Sequence, residues 1–332
     1  MKIVVIGGVE SSRVAVEKLY EHGFEGVTVF GYRPNTTVNV SGWCDLEAPA
    51  KQLGYEFRQF LKINEHTSEL KELAPDLIFV VGLSQLISRE ILQIPRLGCV
   101  GFHPTALPRG RGRAPIAWLT LRCESGAATF FRLQEGADDG EIFVQQPFDV
   151  DASDSAASVE QKILNAERCA LDTWLPSIAL GLNGVEQAHE AATFYGMRKP
   201  EDGVINWQVS ATVVDRLVKA AGRPHPGAFT YQEDEIIRIW STKVDAMCRH
   251  VGVPGRILEI KEDRAFLIQC GDTCLWVEHW SAAGPWLPKV GMRLGYYVDS
   301  EVNQLRRMCV ELNARIEVLE ARLNNYFSIL PG

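Results

Sequence analysis

Apolar positions in the first half of the chain fall in short continuous runs separated by stretches of helical period. KIVVIGG (2–8) is an unbroken apolar run ending in Gly-Gly, the pattern of a strand buried on both faces. A helical stretch through Val14 and Leu19 follows, closed by His22-Gly23, and VTVFGY (27–32) reads as a second strand. A helix-like stretch from Leu46 to Leu53 leads toward Tyr55 and Phe57. A helix over 67–73 then precedes strands at PDLIFVVG (75–82) and LGCVGFHP (97–104). The pattern continues with a helix from Pro115 to Leu121 and strands at 127–133 and 141–148. A long helix then opens at the N-cap cluster Asp151 to Asp154. Strand and helix alternating with short connections predicts an α/β fold with a doubly wound parallel sheet. Ligands in such sheets bind beyond the carboxyl ends of the strands, so the loops after residues 82 and 103 are where chemistry is expected.

The pattern changes at Lys199-Pro-Glu-Asp-Gly203. Beyond it, FTYQ, IIRIWST, GRILEIKED, AFLIQCGD and TCLWVEHW are short strand-like segments, which predict a small barrel. The last segment is different again. Val302, Leu305, Cys309, Leu312, Ile316, Leu319 and Leu323 alternate at spacings of three and four, a heptad seam with Leu at d. That choice predicts a parallel two-stranded coiled coil and hence a homodimer. The competing arrangement is an amphipathic helix packed on its own barrel.

Composition narrows the partners. The net charge of −8 over 332 residues, with no dense run of Lys and Arg, argues against a polynucleotide ligand. The eight cysteines are scattered; the closest pair, Cys270 and Cys274, has no second pair at zinc-site spacing, so no metal is expected and the thiols read as reduced. The amino-terminal apolar run is too short for a signal peptide, and no stretch approaches the roughly 20 apolar residues of a membrane span. Together these point to the cytoplasm. Val9-Glu10 after Gly7-Gly8 leaves no G-x-G-x-x-G, which sets dinucleotide binding aside.

Candidate chemistry concentrates at Gly101-Phe-His-Pro-Thr-Ala-Leu-Pro-Arg-Gly-Arg-Gly112, a His at the end of a buried strand followed by a Pro- and Gly-rich loop. A second motif, Glu135-Gly-Ala-Asp-Asp-Gly140, lies in a turn between two strands, where Asp138 can orient an imidazole and raise its basicity. Together the two motifs resemble the formyltransferase family that uses 10-formyltetrahydrofolate, whose signatures are H-x-S-L-L-P-x-x-R-G and D-E-G-x-D-x-G. Arg198 to Trp207 is similar to that family's linker, and Pro226 to Tyr231 and Pro254 to Leu258 are similar to pieces of its carboxyl-terminal OB-like open β-barrel. The resemblance covers residues 1 to about 298. It implies a Rossmann-like catalytic domain at 1–197, the barrel at 198–299 and the coiled-coil helix at 300–328.

Carried onto this chain, the resemblance makes His103 the acid/base group and Asp138 its charged partner. It assigns the folate ring to the loop Gly82, Leu83, Ser84, Gln85, Leu86 and Ile87, with Gly136 and Ala137 beside it. The implied reaction is attack of an unprotonated amine on a formyl carbon, with donors aimed at the resulting oxyanion. One position departs: the transferases carry Asn two residues before the His, and here stands Gly101. Either another donor replaces that amide (a backbone N–H, Thr105 or water) or the chemistry differs, and a glycine there also leaves a void open to a larger acyl group. Arg111 or Arg113 is the candidate phosphate holder.

The substrate implied is a small amine, foremost a nucleotide-linked amino-deoxysugar, since Phe229 to Val244 resembles the formyltransferase half of the bifunctional 4-amino-4-deoxyarabinose enzyme. The alternatives are a hydroxyornithine-type amine, an acyl-coenzyme A donor, formyl-folate hydrolysis, methionyl-tRNA formylation and a non-catalytic binding module. For tRNA the family relies on a basic insertion, whereas Arg33 to Lys51 sets its two basic residues against Asp45 and Glu47. Residues 201–299 hold eleven Lys and Arg against thirteen Asp and Glu.

Overall fold

The structure, a computed structural model, describes residues 1–35 and 42–328. It divides into two compact units, one of Met1–Val204, Thr212–Ala228 and Trp240–Thr242, the other of Ile205–Ala211, Phe229–Ile239 and Lys243–Gly332.

In the first unit, β1 (Ile3–Gly7), β2 (Val27–Tyr32), β3 (Glu56–Phe60), β4 (Leu77–Val81) and β5 (Cys99–His103) run parallel. After β6 (Arg111–Gly112), β7 (Gly126–Arg132) and β8 (Ile142–Phe148) add an antiparallel pair beside β5. The order is β3-β2-β1-β4-β5-β7-β8. β1 and β4 are buried at every position, as their unbroken Val and Ile runs dictate for strands covered on both faces. The antiparallel edge follows from the short turn at 133–141, which cannot hold the crossover a parallel pair needs. β3 is a strand that the hydrophobic pattern does not announce. Its sequence EFRQF sits at the sheet edge with one buried residue, so it lacks the apolar run of its neighbours.

The helices of this unit are α1 (Glu10–Glu21), α2 (Glu47–Gln52), α3 (Thr67–Leu73), α4 (Arg89–Leu92), α5 (Pro115–Arg122) and α6 (Ala156–Trp174). The short β9 (Phe194–Tyr195) pairs with β6, and α7 (Ala211–Ala221) lies almost wholly in this unit. α6 is capped by Ser155, whose hydroxyl accepts from the Ser158 N–H at 3.3 Å while the Ser158 hydroxyl accepts from the Ser155 N–H at 2.9 Å. The cap thus falls one residue past the expected acidic cluster, and Asp154 instead accepts from the Ser158 hydroxyl at 2.8 Å. Trp174 at the end of α6 stacks on Phe130 and Phe143, at 5.8 and 5.3 Å between centroids, and holds the helix to β7 and β8. α7 was not foreseen among the β-rich segments, although Ala211, Val214 and Val218 are buried at helical spacing. Arg216 and Lys219 tie it to the carbonyl of Ala152, at 3.1 and 2.9 Å.

The sheet reverses its winding between β1 and β4, where such folds open a crevice. Here Ser12 closes it. Its hydroxyl accepts from the Gly8 N–H at 2.9 Å and donates to the Val81 carbonyl at 2.7 Å.

A second buried polar group carries a measurable cost. Glu167 on α6 is fully buried and neither carboxyl oxygen completes a hydrogen bond. Burial pushes its pKa well above the usual carboxylate range, and the Ser11 hydroxyl and Arg168 only partly oppose this. A folded value raised above the unfolded one, about 4.3, means the native state binds more protons there. Stability is therefore lost as pH rises above that value. Glu167→Met should raise the unfolding temperature at pH 7, by about 2–4 °C per kcal/mol recovered. Thermal melts of both proteins should show the gap narrowing as pH falls toward 4.

In the second unit, β10 (Ala228–Gln232), β11 (Glu235–Asp245), β12 (Ile257–Ile260), β13 (Phe266–Gln269) and β14 (Cys274–Ala282) form a sheet of order β10-β11-β14-β13-β12. β12–β13 and β13–β14 are antiparallel. All five strand-like segments read from the sequence are strands. α8 (Val298–Ser328) follows. Among the described residues no helix is long and apolar enough to cross a membrane.

Candidate active site

His103 ends β5 and is 6% exposed. Its Nε2 lies 2.8 Å from the Gly110 carbonyl, which can only accept, so Nε2 carries a proton. In the neutral ring Nδ1 is then unprotonated, and it faces Asp138 Oδ2 at 3.8 Å. That separation is too long for a hydrogen bond but is within ion-pair range. The arrangement is a base whose protonated form has a carboxylate beside it.

Asp138 is held with care. Its φ of 51° is unusual for a residue with a side chain. Its Oδ2 accepts from the Gly112 N–H at 2.8 Å and its carbonyl from Gln187 Nε2 at 2.9 Å. Gln187 Nε2 also reaches the Gly140 carbonyl at 2.6 Å, and Gln187 Oε1 accepts from Arg111 Nη2, also at 2.6 Å. Arg111 is turned inward and buried, with His189 Nδ1 3.1 Å from the same nitrogen. Its guanidinium braces the loop against the 135–140 turn. Arg111, one of the two candidate phosphate holders with Arg113, is thus engaged by Gln187 and His189. Thr193 and β9 complete the frame: the Thr193 hydroxyl accepts from the Gly110 N–H at 2.8 Å. At Gly112, where φ is 108°, a Cβ would meet the Tyr195 carbonyl at 2.5 Å, so that position requires glycine.

Gln187, Thr193 and Tyr195 were missed in the sequence. Gln187 and Thr193 come from irregular chain and Tyr195 from the two-residue β9, none carries a motif, and only the fold brings them to the loop.

Gly101 and His103 share a face of β5, and β7 sets Phe131 opposite Gly101. A Cβ on Gly101 would lie 2.8 Å from Phe131 Cζ and 3.1 Å from Leu133 Cδ1. The expected void is therefore absent: the space is packed with the Phe131 ring, itself buried. Thr105 is also buried, its hydroxyl donating to the Gly110 carbonyl at 3.4 Å. It is not presented as a free donor.

The loop 82–87 leaves β4 at Gly82, whose φ is 65°. Gln85 pins it, accepting from the Ile63 N–H at 3.0 Å and donating to the Leu61 carbonyl at 2.7 Å. Asn64 Nδ2 donates to the Leu86 carbonyl at 3.0 Å. Leu83 and Ile87 pack on the core between the sheet and α3, while Gly82, Ser84 and Leu86 are exposed. The backbone N–H groups of Leu83 to Ile87 bond to nothing among the described residues. Arg113, exposed, spans from the His103 loop to this one, donating to the Ser84 carbonyl at 3.2 Å. Gly136 and Ala137 are exposed in the Asp138 turn.

Beyond the His103 loop a cavity of about 880 Å³ is lined by Thr105, Ala106, Arg109, Trp118, Phe194 and Tyr195. Trp118 and Tyr195 stack at 5.9 Å, and Phe194 is largely exposed. Among the described residues no group of His, Cys, Asp and Glu is arranged to hold a metal.

Comparison with known proteins adds to this geometry. Residues 1–175 match the model of the formyl transferase family, and residues 198–285 match that of the formyl transferase carboxyl-terminal domain. The chain belongs to the formyl transferase family. It is similar in fold to WlaRD, a sugar 3N-formyl transferase solved with dTDP and 5-N-formyl-tetrahydrofolate. The TM-score is 0.64 at 17% identity, over 86% of this chain and 99% of that one. An N-formyltransferase from Helicobacter canadensis, in complex with folinic acid and dTDP-3-aminofucose, matches at TM-score 0.62 and 16% identity, over 83% and 98%. HypX from Aquifex aeolicus, in complex with tetrahydrofolic acid, matches at TM-score 0.62 and 16% identity, over 88% of this chain. The chain spans 46% of the length of HypX. At these identities the likeness is one of fold.

Proposed function

We propose that this formyl transferase moves a formyl group from 10-formyltetrahydrofolate to the amine of a small, nucleotide-linked amino-deoxysugar. The observation that carries the reading is a buried base, His103 backed by Asp138, on a loop that Arg113 joins to a second, pinned loop with unused backbone donors. Those donors, on Leu83 to Ile87, suit the polar edge of a pterin, and formyl-folate bound there supplies the formyl group. Gly82, Gly136 and Ala137 leave room beside it.

His103 Nδ1 takes the proton from the attacking amine, and Asp138 stabilises the imidazolium that results. The Gly110 carbonyl fixes the ring's tautomer throughout. The oxyanion receives no side-chain amide from position 101, so backbone N–H groups or the exposed Arg113 supply the donors. With Phe131 over Gly101, nothing recommends a larger acyl donor.

The cavity of Trp118, Phe194 and Tyr195, with Arg109 and Arg122 as well as Glu124 in its lining, suits a base and a phosphate better than an aliphatic hydroxyornithine. In the stretch where tRNA formylases carry a basic insertion, residues 36–41 lie outside the described residues. Arg33 pairs with Asp45 at 2.9 Å, and Lys51 with Glu47 at 2.7 Å. Their charge is spent internally. The domain limits of 1–197, 198–299 and 300–328, the OB-like form of the second domain, the cytoplasmic location and a homodimer through α8 belong to the same reading.

Incubating the chain with 10-formyltetrahydrofolate and a panel of nucleotide-linked amino sugars, hydroxyornithine and methionyl-tRNA tests it. The expected result is tetrahydrofolate release dependent on an amino sugar nucleotide. Equal release with no amine present would make the protein a hydrolase instead.

A further inference from the structure

Every described side chain of α8 is exposed, around the whole helix. The apolar seam is bare: Val302, Leu305, Leu312, Ile316, Leu319 and Leu323 are between 38% and 57% exposed, and Cys309 is exposed with them. This excludes the arrangement in which the seam packs on the chain's own barrel. A lone helix carrying such a stripe is marginal in water, and a continuous apolar surface of this kind calls for a partner.

The charges beside the seam say which partner. With Val302, Cys309, Ile316 and Leu323 at a, the flanking g positions hold Glu301, Met308 and Arg315, and the e positions hold Arg306, Asn313 and Glu320. In a parallel pair each g residue meets the e residue five positions later on the other helix. Glu301 then meets Arg306 of a second copy, and Arg315 meets Glu320 of a second copy; Met308 meets Asn313, which are neutral. Both charged contacts attract, and two-fold symmetry repeats each. Antiparallel pairing sets a against d, so Cys309 faces a leucine; its g–g and e–e contacts, Glu301 with Arg315 and Arg306 with Glu320, attract as well, and the seam residues decide between the two. β-branched Val302 and Ile316 at a, with Leu at d, also select two parallel strands.

We infer that α8 docks against α8 of a second copy, parallel and in register, with Cys309 opposite Cys309 across the axis. This rests on the homodimer proposed above and not on the catalytic reading.

The test uses the full chain with Cys123→Ser and Cys169→Ser, which removes the other exposed thiols. Diamide takes two electrons and two protons from the facing thiols, forming one S–S bond and reducing the azo group to a hydrazine. Sedimentation equilibrium should give twice the 37.0 kDa chain mass. Diamide should yield a disulfide-linked dimer on non-reducing gels that Cys309→Ser abolishes. Arg315→Glu should raise the dimer dissociation constant roughly tenfold or more, and adding Glu320→Arg should restore it. A monomer in sedimentation overturns the dimer. A dimer that neither cross-links through Cys309 nor responds to Arg315→Glu overturns the parallel register while leaving the dimer standing. Tetrahydrofolate release, read separately, fails only if the catalytic reading fails.

Discussion

Replacing His103 with alanine should lower kcat/KM for formyl transfer by roughly 10²–10⁴, the usual contribution of a positioned acid/base group. Asp138→Ala should fall in the same range, and the double variant should be little worse than either. The reason is geometric. Among the described residues the ion-pair partner of Asp138 is His103, once protonated, and without the imidazolium the carboxylate has no charge to stabilise there. Groups acting as a unit give non-additive losses. Asp138→Ala also releases the Gly112 N–H, so a loosened loop must be separated from a lost charge. Asp138→Asn does this: its amide oxygen still accepts from Gly112 while the charge is gone. If the charge matters, Asp138→Asn should be nearly as poor as Asp138→Ala although its unfolding temperature stays close to wild type. Turnover within a few-fold of wild type in His103→Ala would remove this histidine from the chemistry.

Much of this candidate site was legible in the sequence because Gly101, His103 and Asp138 sit on or between regular elements. Gly101 and His103 lie on β5, whose apolar run and Pro-Gly continuation mark both the strand and its end. Asp138 lies in a tight turn between two recognisable strands. The parallel strands were equally plain where both faces are buried. β3 was not, because an edge strand needs no apolar run and EFRQF has none. The brace was hidden for a different reason. Gln187 and Thr193 act through hydrogen bonds that span more than 45 residues of chain, and nothing local distinguishes a glutamine that will be buried from one that will not. Arg111 and Arg113 look equivalent in sequence, but β6 ends at Gly112, whose φ is 108°, and the two side chains part there. One is buried against Gln187 and the other is exposed to the 82–87 loop. The packing at Gly101 was hidden most deeply. A glycine in a motif reads as missing volume, yet what fills the space comes from Phe131, thirty residues later, through the β5–β7 register.

That register makes Gly101→Asn the most informative single change. The added Cβ would lie 2.8 Å from Phe131 Cζ and 3.1 Å from Leu133 Cδ1, and the amide needs more room still. Phe131 is buried and its ring has little freedom to yield, so overpacking should cost about 1–3 kcal/mol. The strain falls two residues before His103 on the same face of the same strand. Formyl transfer should therefore drop at least tenfold even where the protein folds. Phe131→Leu in the same chain shortens the opposing side chain and opens the space. The double variant should recover most of the lost stability, read as unfolding temperature. It also sets an amide on the His103 face of β5. A single oxyanion donor is worth roughly 10²–10³ in rate where it is well aimed. Transfer by the double variant should thus return to the wild-type rate or exceed it, whereas Phe131→Leu alone brings no donor and should not gain. The readouts are thermal melts and tetrahydrofolate release, taken on all three variants. A Gly101→Asn protein as stable and as active as wild type would mean that position 101 neither packs against Phe131 nor adjoins the reacting centre.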